Sequence, residues 1–329
     1  NIRDVFFAGT SALRCSVLAL ACLSMLVACS KKEQESDSLV EIDVEQEEAP
    51  LPAVFPVEMD EYRAAFEESA LPYASATASA ASTEVLESKL LGTPYFPDGA
   101  TYPYDVSGEP MQLLAQINFA ELPMLRDFPT RGVLQFFVSP VETGDQVWGM
   151  RMDGDDDFDE DEFISRLQRD EYFRVLFYPD ADSSDPQGMI PPVAIGFLPV
   201  NQEARLRFQA QTGYVTLADY RFEEIFGSDP YDFFEEFGQA GDLVWEQYER
   251  FVNQHAVAQV GGYADFAQED PRVLAPDEDW VLLLQLDSYA TDDGVEVLWG
   301  DAGVGSFHIR REDLRALDFS QVLYSWDSH

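Results

Sequence analysis

WVLLLQLD, residues 280–287, is the stretch that decides the fold. Its apolar residues run almost without interruption, a pattern typical of a strand that is covered on both faces. Comparable short apolar runs recur between Pro and Gly residues at 111–119, 132–138, 173–178, 194–200 and 204–208. Because this punctuation is typical of β-rich domains, we predict a strand at each of these runs.

A faint internal repeat surrounds these strands. LLGTPYFPDG precedes LLAQINF by about the same distance as VGGYADFAQEDPR precedes LLLQLDS. A Gly-containing strand then follows the central Gln116 or Gln285, as GVLQFF in one case and GVGSFHI in the other. Such self-similarity indicates related structural units. We therefore predict an α+β fold, a single β-rich body of two pseudo-repeated halves with a mostly antiparallel sheet and a few helices.

The clearest helical periodicity is in DLVWEQYERFVNQHA, residues 242–256. Asp242 is the predicted N-cap of this helix, because its short side chain can accept a hydrogen bond from the first turn. The apolar face repeats at helical spacing and consists of Val244, Tyr248, Phe251 and His255.

Residues 1–28 are predicted to be a lipoprotein signal peptide. Arg3 and Arg14 precede an apolar core, CSVLALACLSMLVA, which is too short to span a bilayer but suits a cleaved leader. The core ends in Leu-Val-Ala-Cys, so Cys29 is the predicted lipid attachment site. Acyl chains on Cys29 would anchor the chain to a membrane of the cell envelope. Ser30 favours the periplasmic face of an outer membrane.

Between this anchor and the body, the composition predicts two connecting segments. Residues 29–57 carry many acids and few core-forming residues, which predicts a flexible acidic tether. Residues 58–85 combine a short helix, EMDEYRAAFEESA, with the small-residue stretch YASATASAAST (73–83), which is either a loop or a frayed helix. Residues 86–329 are the predicted folded domain.

The net charge of −42 excludes one class of partner. The chain has 62 acidic and only 20 basic residues, so its surface repels nucleic acid and anionic lipid headgroups. We expect no nucleic-acid partner.

The glycines of WGDAGVGSF, residues 299–307, do not match a phosphate-binding loop. Their order is G-x-x-G-x-G, the reverse of the dinucleotide fingerprint, and the residues that follow alternate like a strand rather than a helix. We predict a tight turn whose glycines supply positive φ angles, and no nucleotide cofactor.

Metal sites are not predicted either. In the acidic run DGDDDFDEDE (153–162), alternate aspartates resemble a calcium loop, but Phe158 and Ile164 replace its required glycine and acid. A solvated charge run is the simpler interpretation. His255 is expected to pack in the core, while His308 faces either solvent or the other side of its sheet. With His329 at the chain end, these scattered histidines suggest no zinc centre.

A polar cluster supplies the candidate binding cleft. If the two halves pack together, the cleft would be lined by Gln268, Asp270, Arg272, Trp299 and Asp301. The alternative is structural: Arg272 would pair with Asp270 or Asp301 and brace the turns. The sequence leaves both interpretations open.

These motifs resemble the YwqG-like family, catalogued as a domain of unknown function. The similarity rests on SKLLGTPYFPDGATYPYDVSGEPMQLLAQINFAELP, GVLQFFV, VGGYADFAQEDPR, LLLQLDS and LWGDAGVGSFHIRREDLRALDFSQVLYSWD, from about Ser88 to Asp327. The resemblance implies an α+β fold of duplicated β-rich halves and no established reaction. A histidine usual before the Gly-Gly-Tyr turn is Gln259 here.

We expect a membrane-anchored envelope lipoprotein that binds another molecule, a protein in the first instance, without catalysis. Family members often lie near toxin or secretion genes, which the resemblance connects to an immunity-like role. The alternative is a carboxylate-dependent cell-envelope hydrolase that uses acids such as Asp301 and Glu269.

Overall fold

A computed structural model of the protein describes residues 54–143, 146–152, 160–193, 196–252 and 256–329. The strands within these residues are β1 (Leu71–Ala80), β2 (Lys89–Leu90), β3 (Gln112–Asn118), β4 (Val133–Val138), β5 (Gln146–Val147), β6 (Met150–Arg151), β7 (Phe173–Tyr178), β8 (Ala204–Gly213), β9 (Ala258–Gly261), β10 (Trp280–Asp287), β11 (Tyr289–Ala290), β12 (Glu296–Val297), β13 (Val304–Arg310) and β14 (Leu323–Asp327).

Within the described residues, the α-helices are fewer than the strands. The α-helices of the described residues are α1 (Arg63–Glu68), α2 (Glu160–Leu167), α3 (Arg221–Phe226), α4 (Pro230–Glu235), α5 (Gly241–Val252) and α6 (Arg311–Ala316). Short 3-10 helices cover Val57–Tyr62, Phe119–Glu121, Gly238–Ala240 and Pro271–Leu274.

Ten strands form one antiparallel sheet in the order β14-β13-β10-β9-β1-β8-β2-β3-β4-β7. Strands that are far apart in this order nevertheless touch through their side chains. The rings of Phe136 on β4 and Phe307 on β13 are 4.7 Å apart, and those of Phe173 on β7 and Tyr324 on β14 are 5.2 Å apart. The sheet therefore curls until it is nearly closed, with the main hydrophobic core on its inner side.

Most predicted strands are confirmed. The apolar run 280–287 coincides with β10, whose first seven residues are all buried. The run 204–208 forms part of the longer β8. The prediction for 194–200 is wrong, because residues 196–199 are in no strand and Val200 makes only an isolated bridge to Val297. Pro199 has no N–H to give to a ladder, and a Cβ on Gly196 would lie 1.8 Å from the Pro140 carbonyl oxygen.

The prediction of a loop or frayed helix at 73–83 is also wrong. Most of this small-residue stretch belongs to β1, which pairs along its whole length with β8 and also with β9. Ala74 and Ala76 are fully buried within the sheet. Pairing on both edges therefore overrides the weak strand propensity of Ala and Ser. The segment predicted as a linker supplies a central strand.

A second core lies among the helices. It joins the 3-10 helix Val57–Tyr62 to α1, α3, α4 and α5 through a cluster of aromatic rings that includes Phe66, Phe222 and Tyr248. The helix predicted for 58–70 is confirmed as a 3-10 turn followed by α1. The helix predicted for 242–256 is confirmed as α5 to Val252, although Asp242 lies inside its first turn. His255 lies outside the described residues.

Strands β3 and β10 share several local features. Each has a bulge in its pairing with the next strand, between Leu113 and Ala115 in β3 and between Leu282 and Leu284 in β10. A glutamine follows each bulge. The main-chain N–H of Tyr95 donates to Gln116 Oε1 (2.8 Å), and that of Asp265 donates to Gln285 Oε1 (2.9 Å).

The strands that precede them in the chain, β2 and β9, are each followed by a turn that is held by a side chain of that strand. Lys89 Nζ donates to the Thr93 carbonyl oxygen (3.0 Å), and Gln259 Nε2 donates to that of Tyr263 (2.7 Å). Both turns contain a glycine at positive φ, and at Gly262 a Cβ would also lie 2.9 Å from Tyr73. Gln259 therefore clamps the Gly-Gly-Tyr turn after β9, and Lys89 clamps the turn after β2.

Lys89→Gln should keep this clamp, whereas Lys89→Met should break it. Lys89 is fully buried, which lowers its pKa to about 8. A glutamine can donate to Thr93 without a buried charge, so we expect a change in unfolding free energy under ~1 kcal/mol. Methionine leaves the Thr93 and Glu84 carbonyls without this donor and should cost about 1–3 kcal/mol. Urea unfolding measures both; equal losses would contradict the equivalence.

Candidate functional site

Arg272 is held by the residue that begins its own helical turn. Asp270 caps the 3-10 helix Pro271–Leu274 by accepting a hydrogen bond from the main-chain N–H of Arg272 (2.9 Å). The side chain of Arg272 returns to the same carboxylate, donating from Nε to Oδ1 (2.8 Å) and from Nη2 to Oδ2 (2.7 Å). This two-pronged geometry fixes the guanidinium plane.

A second carboxylate reaches Arg272 from a distant part of the chain. Asp219, just before α3, accepts from Arg272 Nη2 at 2.9 Å and from Arg221 Nη2 at 2.6 Å. Burial alone would raise the pKa of Asp219, but the two guanidinium groups hold it well below its usual value. Two arginines thus balance two aspartates in a buried network.

Aromatic rings and a histidine enclose this network. The Arg272 Cζ atom lies 5.0 Å from the ring centroid of Tyr220 and 5.5 Å from that of Phe266. His308 stacks on Phe266 at 6.0 Å and is fully buried, which answers the open question about its orientation. Burial and the charge of Arg272 lower the pKa of His308 well below its usual value, so the ring is neutral.

The five residues of the predicted cleft do not share one surface. Arg272 and Asp270 come together, as the structural alternative predicts, and Arg272 has no exposed surface. Gln268 is exposed and donates to the Ser328 carbonyl oxygen (2.6 Å). Trp299 is fully buried, whereas Asp301 is exposed. Arg272 and Trp299 therefore cannot contact a ligand without rearrangement of the protein.

Trp299 explains the glycines of WGDAGVGSF. Its ring packs against that of Trp148 at 5.5 Å, and a Cβ on Gly305 would lie 2.3 Å from it. A Cβ on Gly303 would lie 1.7 Å from the Asp327 carbonyl oxygen. Only Gly300 of the three has a positive φ. The predicted turn and following strand are confirmed, but two of its glycines provide space rather than backbone freedom.

A small cavity lies at the end of β10, and no motif in the sequence points to it. Its volume is about 30 Å³. The polar residues that line it are Tyr73, Tyr214, Thr216, Gln259, Tyr263, Asp265, Gln285 and Asp287. They come from β1, β9, β10 and the segments after β8 and β9, so sheet pairing brings them together from distant positions.

Asp287 is the most unusual group in this cavity. It is the last residue of β10 and is half-buried, and its Oδ1 accepts a hydrogen bond from Gln285 Nε2 (2.7 Å). Burial raises the pKa of Asp287 to about 7, opposed by the bond from Gln285 and assisted by the nearby Asp265. The only signal in the sequence is an acid at the end of an otherwise apolar strand.

The remaining candidate residues either lie outside the described residues or are exposed. The aspartates 153, 155 and 157 of the predicted charge run lie outside the described residues. In the part of the chain that is described, no three His, Cys, Asp or Glu side chains are grouped to hold a metal ion. Asp301 and Glu269, the acids of the hydrolase alternative, are both exposed. None of the helices in the described segments is long and apolar enough to cross a membrane.

One protein-family model matches most of the chain. A family model described as a domain of unknown function (DUF1963) matches residues 88–328, which include the whole predicted repeat. The chain belongs to this family. Strand β1 and α1 precede the matched region, although β1 pairs with β8 and β9 inside it. A search of curated proteins finds no match to the chain.

Arg272→Met should be strongly destabilising. It leaves Asp270 without its buried cation and removes one of the two cations of Asp219, so we expect a loss of about 3–5 kcal/mol in unfolding free energy. Arg310→Met, which breaks a partly exposed pair with Glu278, is the control and should cost less than ~1 kcal/mol. Adding Asp270→Asn to Arg272→Met should recover part of the loss. Similar losses for the two single variants in urea unfolding would contradict the assignment.

Asp287→Asn should stabilise the protein at pH 8. The unfolded carboxyl ionises near pH 4 whereas the folded one ionises near pH 7, so the wild type loses stability as the pH rises through this window. Asparagine keeps an acceptor for Gln285 and should add about 1–3 kcal/mol at pH 8 and little at pH 4. Exposed Asp292→Asn is the charge-matched control. Urea unfolding showing the same gain at both pH values would refute the raised pKa.

Proposed function

We propose that this protein is a membrane-anchored lipoprotein of the cell envelope whose β-rich body binds a protein partner without catalysis. Cys29 is its lipid attachment site, and residues 29–57 tether the body to the membrane. The proposal for the anchor rests on the leader pattern of residues 1–28. The proposal for binding rests on a groove in the body.

The groove lies beside β7, the last strand of the sheet. Its volume is about 290 Å³, and one wall is β7 itself while the other is the segment between α6 and β14. Its apolar lining consists of Phe173, Val175, Leu176, Phe177, Leu317, Phe319 and Val322. Gln168, which follows α2 and also lines the groove, donates from Nε2 to the Gln321 carbonyl oxygen (2.9 Å) in the segment before β14.

The geometry of β7 favours an extended polypeptide as the occupant of this groove. Among the described strands, β7 pairs with β4 alone, so alternate N–H and C=O groups on its other edge are available to a further strand. Apolar side chains beside such an edge provide pockets for alternate residues of an added strand. Strand addition to an exposed edge is a common mode of peptide recognition.

The charge of the chain favours a basic partner. With 62 acidic residues against 20 basic ones, the protein attracts cationic surfaces and accelerates their association. An immunity-like role toward a basic protein is consistent with this charge and with the YwqG-like resemblance, which we keep as the finer assignment within the family.

We also infer that the sheet consists of two related halves. Four strands on each side of the central β1–β8 pair follow the same order, from β9 to β14 and from β2 to β7. The bulges of β3 and β10, their glutamines and the clamps at Lys89 and Gln259 support this inference. In such a duplication, a residue that differs between equivalent positions of the two halves indicates where one half binds a molecule that the other does not.

Ser320→Trp should abolish partner binding by filling the groove. Ser320 is exposed and lines the groove, so a large ring there should exclude an added strand without removing any core side chain. The full chain is expressed in its native host, and the material cross-linked to it in envelope fractions is quantified. We expect one partner to be retained by the wild type and reduced at least about tenfold by Ser320→Trp.

Thr101→Trp, an exposed substitution outside the lining of the groove, is the matched control and should retain the partner. Mass spectrometry of the same material should find a mature N-terminus at Cys29 bearing acyl chains. Recovery of no partner that distinguishes Ser320→Trp from Thr101→Trp would overturn the binding function. An unmodified Cys29 or a retained leader would overturn the anchor.

A further inference from the structure

We propose that the cavity at the end of β10 binds a primary ammonium group carried on an unbranched alkyl chain, such as a lysine side chain. Insofar as a partner protein supplies that lysine, the inference rests on the proposed binding function. The binding chemistry itself depends only on the residues of the cavity.

The cavity offers oxygen atoms that lack donors. Asp287 Oδ1 accepts from Gln285, but its Oδ2 accepts no hydrogen bond from any residue that the structure describes. Tyr73 is only 4% exposed and lines the cavity, yet its hydroxyl has no hydrogen-bond partner within the described residues. An ammonium group has three N–H donors and no acceptor, so it complements these oxygens.

The size of the cavity selects among cations. Its volume of about 30 Å³ exceeds the roughly 10–15 Å³ that a cavity needs to hold one water molecule. An –NH₃⁺ group is of similar size and can enter on a narrow methylene chain. A planar guanidinium and a quaternary ammonium are both larger, so the cavity should exclude them.

The walls also favour a cation. The rings of Tyr73, Tyr214 and Tyr263 line the cavity together with the two aspartates. Tyrosine rings attract ammonium groups, most strongly where the cation is partly removed from water. Carboxylates and aromatic rings in one lining form the combination that compensates a desolvated ammonium.

The equivalent position in β3 shows what the cavity lacks. There the strand ends in Asn118, whose Nδ2 donates to the Leu86 carbonyl oxygen (3.0 Å) and whose main-chain N–H donates to Ser88 Oγ (2.9 Å). The chain itself therefore covers the end of β3. At the end of β10, a carboxylate replaces the amide and adjoins a cavity instead.

Binding should depend on pH because only the ionised carboxylate attracts a cation. The titratable groups that line the cavity with Asp287 are Asp265, Tyr73, Tyr214 and Tyr263. Burial raises the pKa of Tyr73 and of Tyr263, so both stay neutral at physiological pH. Burial raises the pKa of Asp287 to about 7, so its carboxylate becomes protonated between pH 8 and pH 6 and affinity should fall about tenfold between them.

Calorimetric titration of the full chain tests the site. The probes are n-butylammonium, Nα-acetyl-lysine N-methylamide, 1,4-diaminobutane, the corresponding arginine derivative and tetramethylammonium, all at high salt to screen the general attraction of an acidic surface. We expect the primary ammonium compounds to bind at pH 8 and about tenfold more weakly at pH 6. Tighter binding of the lysine derivative than of the diamine would assign the site to a protein side chain; the reverse would assign it to a free amine.

Three variants locate the site. Asp287→Asn, which should fold at least as well as the wild type, should reduce n-butylammonium affinity at least tenfold, and Tyr73→Phe should reduce it several-fold. Exposed Asp292→Asn removes the same charge and should have no effect. Unchanged affinity in Asp287→Asn, or equal binding of tetramethylammonium, would overturn the inference. Because Ser320→Trp leaves this cavity intact, failure of partner capture and failure of ammonium binding are separate results.

Discussion

The buried pairing of Arg272 with two aspartates is the interaction on which the arrangement of the body depends. It links the turn after β9 to the segment that leads into α3, and so joins the helical core to the sheet. The chain has only 20 basic residues against 62 acidic ones. One of these basic residues, Arg272, is buried and pairs with two carboxylates at once. Removing its charge would leave Asp270 without a buried cation and Asp219 with Arg221 alone. The network therefore fixes the geometry of these segments more than it adds net stability.

The strands that could be predicted from the sequence are those buried on both faces, because such strands have apolar residues at nearly every position. β10 and β4 have nearly continuous apolar patterns because the curled sheet is covered on both faces there. β1 could not be predicted in this way. Its Ala and Ser residues have no strand pattern of their own, and its conformation is imposed by long pairing with β8, whose residues lie more than a hundred positions away. Local propensity is a weak guide where pairing on two edges decides.

In the candidate site too, contacts between sequence neighbours could be predicted and contacts between distant residues could not. The Arg272–Asp270 pair was foreseeable because the two residues are neighbours in the sequence, and a capping aspartate lies within reach of the next side chains. Asp219 lies 53 residues away, and nothing in the sequence connects it to Arg272. The ten-residue lining of the small cavity has the same character, since the ends of separate strands meet there. Trp299 was predicted to line a cleft but is buried. Its ring packs against Gly305, on the other side of the turn, and the composition of the turn does not reveal this contact.

The proposed duplication of a β-rich half would account for the proposed binding site at one end of the sheet. Two halves related in this way would need the same clamps and the same bulges, and Lys89 and Gln259 would meet that need with different side chains. Once both ends are stable, one of them is free to lose its internal cover without loss of the fold. Asn118 retains that cover and Asp287 does not, at the cost of a half-buried carboxyl with a raised pKa. A destabilising acid in an otherwise repeated position is expected where binding, rather than stability, has determined the residue.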